Sequence, residues 1–389
     1  QQFIAEAAHR IRTPLAAHAH LEPQAALVDV QADKVTAWVS TQSAFVVRGE
    51  LAEVLDMPEE QIEVIPTYLG GGFGRKLNVE AAREAAILSK AAGQPVHVGW
   101  NRTEDMRYGF FRPSTHHVLK GRLDGNGRIQ ALQHEVASGD VLFASAVVGA
   151  DFGAYRGARL EYDGIPNRQM ISYRTPLPVP TGPWRGLGLL ANTFAIESFM
   201  DDLAFAAAID PLQFRLNHLT DSPLSQRFRA VLQTAAEMAN WGSSLPAGHA
   251  LGLAMNIDAQ TVVAQIAEVS LENDQIRVHN VYCAMDPGFV INPDGAAAQA
   301  QGAIVMGLSS TFLEEITVRD GVIEAANFDR YPLLTMQETP NIHVRLLESS
   351  SEPTGVGEPP IGPIAAAVGN AVFALTGQRL TRLPIRISR

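Results

Sequence analysis

Residues 62–92, IEVIPTYLGGGFGRKLNVEAAREAAILSKAA, contain the three consecutive elements that decide the fold prediction. The alternating apolar and polar residues of 62–66 predict a strand, and the Ala- and Glu-rich segment 78–92 predicts a helix. The glycine loop, Gly70-Gly-Gly-Phe-Gly-Arg-Lys76, connects them. In such a loop, successive backbone N–H groups can point at one anion, and the following helix adds the positive end of its dipole. The pattern therefore suits a phosphate or an oxo group.

The glycine loop does not match the usual nucleotide-binding motifs. A P-loop requires Gly-Lys-Ser or Gly-Lys-Thr, whereas here Lys76 is followed by Leu77. A dinucleotide-binding fold requires a βαβ unit with an acidic residue about 20 positions later, but the chain after the helix predicts hairpins. The alternative is a tight turn without a ligand, because glycine is common wherever the backbone is strained.

The rest of the chain predicts an α+β fold with mixed sheets and packed helices in both halves. A run of Gly, Ser and Pro at 243–248 suggests a boundary between a first lobe, residues 1–242, and a second lobe, residues 243–389. Residues 140–185 are irregular, and so long a loop in a compact protein is often functional. Strands are predicted within 25–67 and 95–140, with hairpins at 118–132 and 262–284 and strands near 323 and 342–347; helices are predicted at 192–208 with Asn192 as cap, 228–240, 295–308 and 361–375.

Composition excludes several classes of function. The formal net charge is -11, and the basic residues are scattered, so nucleic acid is a poor candidate partner. Cys283 is the only cysteine, so this chain alone cannot form a disulfide, a cysteine-based zinc site or an iron–sulfur cluster. We also expect no apolar run of the roughly 18 residues that a membrane span requires. A redox role would therefore need a redox centre from a bound cofactor or a partner chain.

A single carboxylate stands out in Gly355-Val-Gly-Glu-Pro-Pro-Ile361. Pro359 should keep Glu358 out of helical backbone angles, and the flanking glycines allow a large group to approach closely. Glu358 is therefore a candidate general base beside a bulky cofactor. The alternative is a carboxylate that only caps the following helix.

Two further motifs could contribute polar groups. The segment 180–188, Pro-Thr-Gly-Pro-Trp-Arg-Gly-Leu-Gly, offers a rigid turn, a guanidinium and exposed backbone, although it could be a loop packed by Trp184. Gln299 opens a helical run of small residues and could bind the edge of a heterocycle, although such runs usually indicate close helix packing. The pairs His18 with His20 and His116 with His117 lack the pattern of a metal site.

In this order, the four motifs resemble the molybdenum-binding subunit of the xanthine oxidase family. They are most similar to the isoquinoline 1-oxidoreductase β-subunit branch, which includes bacterial membrane-associated aldehyde dehydrogenases. The resemblance covers almost the whole chain, from Ala17-His-Ala-His-Leu-Glu-Pro23 through Asp286-Pro-Gly-Phe-Val-Ile-Asn-Pro293 to the Glu358 motif. It implies a two-lobed molybdenum-cofactor-binding domain of xanthine oxidase type.

The resemblance also implies roles for individual residues. Glu358 would be the general base, and the metal would be held by the pterin cofactor, either molybdopterin or its cytosine dinucleotide form, rather than by protein ligands. Leu77 and Leu187 stand where purine-oxidising relatives have Glu and Phe, so an apolar pocket for an aldehyde or an N-heteroaromatic compound is implied. The implied cofactor contacts are Gln42, Gly71, Gly72, Phe73, Gly74, Arg75, Trp184, Arg185, Gly186, Gln299 and Gly357.

Partners follow from the same resemblance. Electrons would pass to a subunit that carries two [2Fe-2S] clusters, with a cytochrome c or a flavin subunit as further candidates. The family's Met-Gly-Gln-Gly pterin contact is absent here, so a second chain or a missing segment would complete the site. The resemblance favours a periplasmic or membrane-associated location, and a cytoplasmic location is the alternative. The alternatives are a catalytically silent assembly partner and a nucleotide-binding enzyme that uses the glycine loop.

Overall fold

The computed structural model describes residues 6–78, 80–140, 156–272 and 275–386. Within these ranges the chain forms three four-stranded mixed sheets with packed helices, which confirms the α+β prediction. The strands are β1 (Glu6–Thr13), β2 (Ala25–Val30), β3 (Val35–Val39), β4 (Ile62–Pro66), β5 (Val96–Gly99), β6 (Thr115–Leu123), β7 (Ile129–Ser138), β8 (Asn167–Arg174), β9 (His249–Asp258), β10 (Thr261–Glu272), β11 (Gln275–Asp286), β12 (Val318–Arg319), β13 (Val322–Ile323) and β14 (Asn341–Leu346). The helices are α1 (Ala44–Leu55), α2 (Glu80–Ala92), α3 (Arg102–Arg107), α4 (Leu189–Ala206), α5 (Pro211–Asn217), α6 (Pro223–Met238), α7 (Pro293–Phe312) and α8 (Ile364–Thr376).

The first sheet has the order β4-β3-β2-β5 and supports the glycine loop. β3 and β4 are parallel, so the chain crosses over between them through α1. α2 packs on β2 and β5 with a face of buried alanines that include Ala81 and Ala85. The glycine loop lies between β4 and α2 and ends in a short 3-10 helix, Arg75–Leu77. The predicted order of strand, loop and helix is therefore confirmed.

The other two sheets, β1-β6-β7-β8 and β14-β11-β10-β9, are joined through buried helices. α4 packs against β1 and β6 on one side and against α8 on the other, and α8 covers β9 and β10. A helix that is apolar on nearly every face belongs in the interior, and α4 is buried along most of its length. One large core takes residues from both sheets. The boundary predicted at 243–248 falls between α6 and β9, and the division into two lobes stays a prediction.

Several sequence predictions of secondary structure were wrong. The strand-rich stretches 25–67 and 95–140 also contain α1 and α3. α3 has a capping box in which Asn101 accepts a hydrogen bond from the Glu104 backbone N–H at 3.0 Å, a short signal that the strand pattern hid. α4 begins at Leu189, so Asn192 lies inside the helix rather than at its cap. The irregular stretch 140–185 contains β8, and its residues 141–155 lie outside the described ranges.

The expectation about membrane-length apolar runs was also wrong. Among the described residues, one stretch, Pro359–Thr376, is long and apolar enough by composition to cross a membrane. That stretch is 78% buried inside the protein. It contains α8, which packs on β9 and β10, so its apolar character serves the core.

Candidate active site

The glycine loop exposes backbone donors rather than satisfying them internally. Gly71 and Gly74 have φ values of +92° and +106°, which glycine adopts without the cost that other residues incur. No described residue accepts a hydrogen bond from the N–H groups of Gly71, Gly72 and Phe73. Gly72 is itself buried, and a buried backbone donor normally has a partner. Three successive free amides are the arrangement that binds an anion.

Gln42 holds the glycine loop from the end of β3. Its Oε1 accepts hydrogen bonds from the N–H groups of Gly74 at 3.0 Å and Lys76 at 3.3 Å. A Cβ on Gly72 would lie 2.5 Å from the same oxygen, so only glycine fits there. These two bonds occupy the side-chain oxygen of Gln42. The side chain is exposed, and its amide nitrogen has no described partner, so the nitrogen is a further donor.

The segment 180–188 lies directly against the glycine loop. A Cβ on Gly74 would lie 2.1 Å from the Pro183 carbonyl oxygen, and the Arg185 N–H donates to the Phe73 carbonyl at 3.0 Å. Gly186 then turns with a φ of +84°. The structure thus brings the first and third motifs together, although more than 100 positions separate them in the chain.

Glu358 contacts the segment 180–188 where this segment packs on the glycine loop. Its Oε1 accepts a hydrogen bond from the Gly186 N–H at 2.9 Å, and its Oε2 accepts one from Arg156 Nη2 at 2.7 Å. The side chain remains 37% exposed. Residues 355–360, which we call the Glu358 segment, therefore place a carboxylate beside the glycine loop while leaving it open to solvent.

The backbone of Glu358 corrects one prediction. Its φ of -109° and ψ of -38° lie in the helical region, because Pro359 disfavours but does not forbid this conformation and a 3-10 helix, Pro359–Ile361, starts at once. Glu358 occupies the N-cap position of that helix, yet its side chain makes no capping hydrogen bond. The carboxylate is thus committed to Gly186 and Arg156 instead.

Strands β9 and β10 hold the Glu358 segment through polar side chains that the sequence analysis missed. Asn256 Nδ2 donates to the Pro359 carbonyl at 3.1 Å, and Gln265 Nε2 donates to the Pro360 carbonyl at 2.6 Å. Thr261 Oγ1 donates to the Gly355 carbonyl at 2.6 Å. All three side chains are buried. A buried amide or hydroxyl on an otherwise apolar strand was the available signal, since such groups need a specific partner.

Arg156 and Asp258 are the other residues that the sequence analysis missed. Arg156 Nε donates to Asp258 Oδ1 at 2.6 Å, and Arg156 Nη2 also contacts Asp258 Oδ2. Burial raises the pKa of the Asp258 carboxyl. Burial also disfavours charge on Arg156, but its hydrogen bonds to Asp258 and Glu358 outweigh this and raise the pKa of the guanidinium. The only available hint was that Arg156 lies in the irregular stretch 140–185.

Arg185 connects the segment 180–188 to the Glu358 segment and to Gln299 on α7. Its Nε donates to the Gly357 carbonyl at 2.8 Å, and its Nη2 donates to Gln299 Oε1 at 3.0 Å. Burial lowers the pKa of Arg185. With its oxygen occupied, Gln299 presents an exposed amide nitrogen that has no described partner. Gln42, Gln299 and the glycine loop therefore all offer donors.

Two predicted contact residues have side chains that lie in the interior. Trp184 is 1% exposed, and its Nε1 donates to the Ala17 carbonyl at 3.1 Å, so it packs the loop as the alternative interpretation held. Arg75 is also 1% exposed and hydrogen-bonds to Glu80 at 3.1 Å. Any contact of these residues with a ligand must come from the backbone. Leu77 is half-buried, and Leu187 is 9% exposed with a φ of +54°.

The histidine pairs serve the fold. His18 Nε2 hydrogen-bonds to the Pro183 carbonyl at 2.6 Å, and burial lowers its pKa to about 3. His20 lies 3.3 Å from Asp105, and His117 stacks on the ring of His134. Within the described ranges, no group of three or more His, Cys, Asp or Glu side chains is placed to hold a metal ion.

This donor set fits a bound group rich in hydrogen-bond acceptors. It consists of three backbone amides and two carboxamide nitrogens without described acceptors, and beside them lie the guanidinium groups of Arg156 and Arg185 and the Glu358 carboxylate. The buried amide of Gly72 has no protein acceptor in the described ranges, which is the condition that a ligand oxygen would satisfy. A cofactor that carries its own metal ligands and presents oxo, phosphate or heterocyclic acceptors meets this requirement.

Comparison with known proteins agrees with that chemistry. Residues 1–219 match a family model described as a molybdopterin cofactor-binding domain, and residues 235–340 match a second model with the same description. The chain is 35% identical to isoquinoline 1-oxidoreductase subunit beta of Brevundimonas diminuta, over 97% of this chain and 49% of that protein. It is 30% identical to a membrane-bound aldehyde dehydrogenase (pyrroloquinoline-quinone) of Gluconacetobacter polyoxogenes, over 95% of this chain and 52% of that protein.

The solved structures agree on the fold. Quinoline 2-oxidoreductase from Pseudomonas putida superimposes with a TM-score of 0.87 at 17% identity, covering 98% of this chain and 75% of that one. At this identity the likeness concerns the fold alone. The chain spans about half the length of the two relatives above, 49% and 52%.

Proposed function

The chain belongs to the molybdopterin cofactor-binding family, and on this premise we propose that it forms the larger part of the molybdenum-binding subunit of an oxidoreductase. The reaction is the oxidation of an aldehyde or the hydroxylation of a carbon in an N-heteroaromatic ring. The observation that supports this most is the 2.9 Å hydrogen bond from the Gly186 N–H to Glu358. It joins the candidate base to the segment that packs on the glycine loop.

The cofactor would be held mainly by donors. The free amides of Gly71, Gly72 and Phe73 suit its oxygen atoms, and the amide nitrogens of Gln42 and Gln299 add two side-chain donors. When bound, a molybdenum–pterin cofactor, whether molybdopterin or its cytosine dinucleotide form, supplies the two-electron redox chemistry that the polypeptide lacks. Gly74 and Gly186 allow close packing around the site, since a Cβ there would lie 2.1 Å from the Pro183 carbonyl oxygen and 2.8 Å from Ile361 Cγ2. Gly357 would contribute through its carbonyl, which accepts from Arg185.

Glu358 would act as the general base. An ionised carboxylate can accept a proton from the water-derived oxygen that is transferred to the substrate. The Gly186 N–H and Arg156 each donate to one oxygen of the carboxylate, and 37% exposure leaves the carboxylate reachable. Since the Pro359 and Pro360 carbonyls are hydrogen-bonded to buried side chains, the base is held in position before substrate arrives.

The substrate would be apolar or aromatic. Leu77 and Leu187 provide aliphatic side chains near the glycine loop. Phe73, within that loop, is 37% exposed. An apolar wall with a few polar groups is typical of small-molecule sites. The relatives' names, an isoquinoline oxidoreductase and an aldehyde dehydrogenase, agree with both substrate classes.

Electrons would leave through a partner. The one cysteine, Cys283, is buried, so a separate subunit with two [2Fe-2S] clusters is the proposed acceptor, and a cytochrome c or a flavin subunit could follow it. A second chain or segment would supply the rest of the cofactor site, since the relatives are about twice as long. The name of the membrane-bound relative supports a membrane-associated location, and a periplasmic location is proposed from the resemblance alone.

Metal analysis and turnover of the purified native complex, with Glu358→Gln, test this function. The wild-type complex should contain molybdenum and oxidise an aldehyde or an N-heterocycle with an artificial electron acceptor. Glu358→Gln should retain molybdenum, because the amide can still accept from Gly186, while kcat falls by about 10²- to 10⁴-fold.

Glu352→Gln is the matched control. Glu352 is exposed shortly before the Glu358 segment and its side chain has no described hydrogen bond, so this variant should keep the wild-type rate. A wild-type complex without molybdenum, or a Glu358→Gln enzyme at full rate, would contradict the proposal. The second result would favour a catalytically silent subunit.

A further inference from the structure

Both oxygens of the Glu358 carboxylate are occupied by donors of different kinds. The Gly186 N–H is part of the backbone that packs on the glycine loop, and it reaches Oε1 at 2.9 Å. Arg156 reaches Oε2 at 2.7 Å through Nη2. The first donor fixes position only, whereas the second also adds a positive charge. A charged donor gives the stronger hydrogen bond.

Arg156 is itself fixed by a buried carboxylate. Asp258 is 7% exposed at the end of β9, and it accepts from both Nε and Nη2 of Arg156. At its other end, the Arg156 carbonyl accepts from Asn192 Nδ2 of α4 at 2.9 Å. A planar guanidinium held in this two-point manner loses little freedom when it binds a further oxygen. Arg156 therefore presents Nη2 to Glu358 in one orientation.

The same hairpin carries Asp258 and holds the Glu358 segment. Directly after Asp258, the Ala259 carbonyl accepts from the Gly355 N–H at 3.2 Å, and Thr261 donates to the Gly355 carbonyl at 2.6 Å. The anchor of the cation and the backbone of the base thus belong to one hydrogen-bonded unit. This linkage keeps the separation of Arg156 and Glu358 constant.

We propose that Arg156, anchored by Asp258, is the positioning residue that orients Glu358 for proton transfer. This inference rests on the proposed function, in which Glu358 is the base. The charged groups that face Glu358 within the described ranges are Arg156, Arg185 and Asp258. Of these, Arg156 alone donates directly to the carboxylate, so it is the one that can fix the orientation of Oε2.

The test compares Arg156→Gln, Arg156→Lys and Asp258→Asn in the native complex. Arg156→Gln removes the charged donor to Oε2, so kcat should fall by about ten- to a hundredfold while KM stays near the wild-type value. Arg156→Lys keeps the charge but not the planar fork. It should recover only part of the lost kcat. Asp258→Asn, which weakens only the anchor, should lower kcat to a similar extent.

Infrared difference spectroscopy gives a readout that does not need turnover. The carboxylate band of Glu358 is isolated as the difference between protein with Glu358 and the Glu358→Gln variant, in the wild-type and in the Arg156→Gln background. With Arg156→Gln the band should shift in frequency, because Oε2 loses its charged donor. Arg159→Gln, three positions away and 82% exposed, is the matched control and should change neither the band nor the rate.

Carboxylate bands of the same frequency and equal kcat values in Arg156→Gln and the wild type would overturn the inference, even if Glu358→Gln is inactive. A shifted band in a complex without molybdenum or turnover would instead overturn the proposed function and leave the pairing of Arg156 with Glu358 intact. If Arg156→Gln does not fold, Arg156→Lys decides. Full kcat in that variant would exclude a positioning role.

Discussion

The glycine loop and the Glu358 segment meet at one site but are held in opposite ways. The glycine loop contributes backbone donors and is supported by nearby side chains, Glu22 and Gln42, which lie 48 and 32 positions before their partners. The Glu358 segment contributes one side chain and is supported by Gln265 and Arg156, at separations of 95 and 202 positions. The comparison teaches that an anion-binding turn can be built locally, whereas an oriented base depends on the whole fold.

Gly74→Ala should have the largest effect on stability, because it should disrupt the packing of the glycine loop on the segment 180–188. The new Cβ would lie 2.1 Å from the Pro183 carbonyl at a φ of +106°, so the loop and the segment 180–188 must separate. We expect the free energy of unfolding to fall by about 3 kcal/mol, from steric overlap and backbone strain together. Molybdenum content should fall with it. Denaturant unfolding and metal analysis measure both.

Gly93→Ala is the control for Gly74→Ala. Gly93 has a φ of +63° with no atom within 4 Å of the added Cβ, so it isolates the backbone term. We expect a loss of about 1 kcal/mol with normal molybdenum content. Equal losses in the two variants would mean that contact with Pro183 does not matter.

Gln265→Ala should displace the Glu358 segment without disturbing the glycine loop. It removes the 2.6 Å hydrogen bond to the buried Pro360 carbonyl, which leaves that oxygen without a partner. The unfolding free energy should fall by about 2 kcal/mol. Because the Glu358 segment then moves, kcat should fall while molybdenum content stays near the wild-type value. Steady-state kinetics and metal analysis on one preparation distinguish the two quantities.

Gln275→Ala is the matched control, since Gln275 is exposed at the start of β11 and has no described side-chain hydrogen bond. Its unfolding free energy should change by less than about 0.5 kcal/mol. Loss of molybdenum with unchanged kcat in Gln265→Ala would contradict the separation of roles between the two sides.

Acid should weaken the glycine-loop side through His18, with the smallest expected effect. His18 holds Pro183, the residue that lies over Gly74, and burial lowers the pKa of His18 to about 3. Below its ordinary value of 6.5 the unfolded chain binds a proton that the folded protein excludes, so stability falls as pH drops from 6.5 towards 3. Between pH 7 and pH 5, His18 should lower the free energy of unfolding by about 1 to 2 kcal/mol.

His18→Gln removes this titration while keeping a donor for the Pro183 carbonyl. The difference in unfolding free energy between pH 7 and pH 5 should therefore be smaller in His18→Gln than in the wild type. His97→Gln, at an exposed site on β5, should leave that difference unchanged. Equal pH dependence in the wild type and His18→Gln would show that His18 is not the acid-sensitive contact.

Much of the fold follows from local pattern. The long hairpin of β10 and β11, the alanine-rich α2 and the strand–loop–helix order all have short-range signals that act within a few residues. α1 and α3 were missed because they lie inside strand-rich stretches, where tertiary packing outweighs a weak propensity, and α3 has only 6 residues. Asn192 has a good capping side chain, yet it is buried inside α4 because the helix starts earlier, at Leu189.

By itself, the sequence determined the candidates for the chemistry: a glycine loop, one carboxylate between glycines and prolines, and two glutamine side chains. Residue type decides these, because glycine adopts positive φ values without strain and a carboxylate can accept a proton. The tertiary structure alone decided how they are held. Arg156 and Asp258 carry no local pattern that marks them, and their pairing with Glu358 exists only because strands and helices distant in the chain pack into one core.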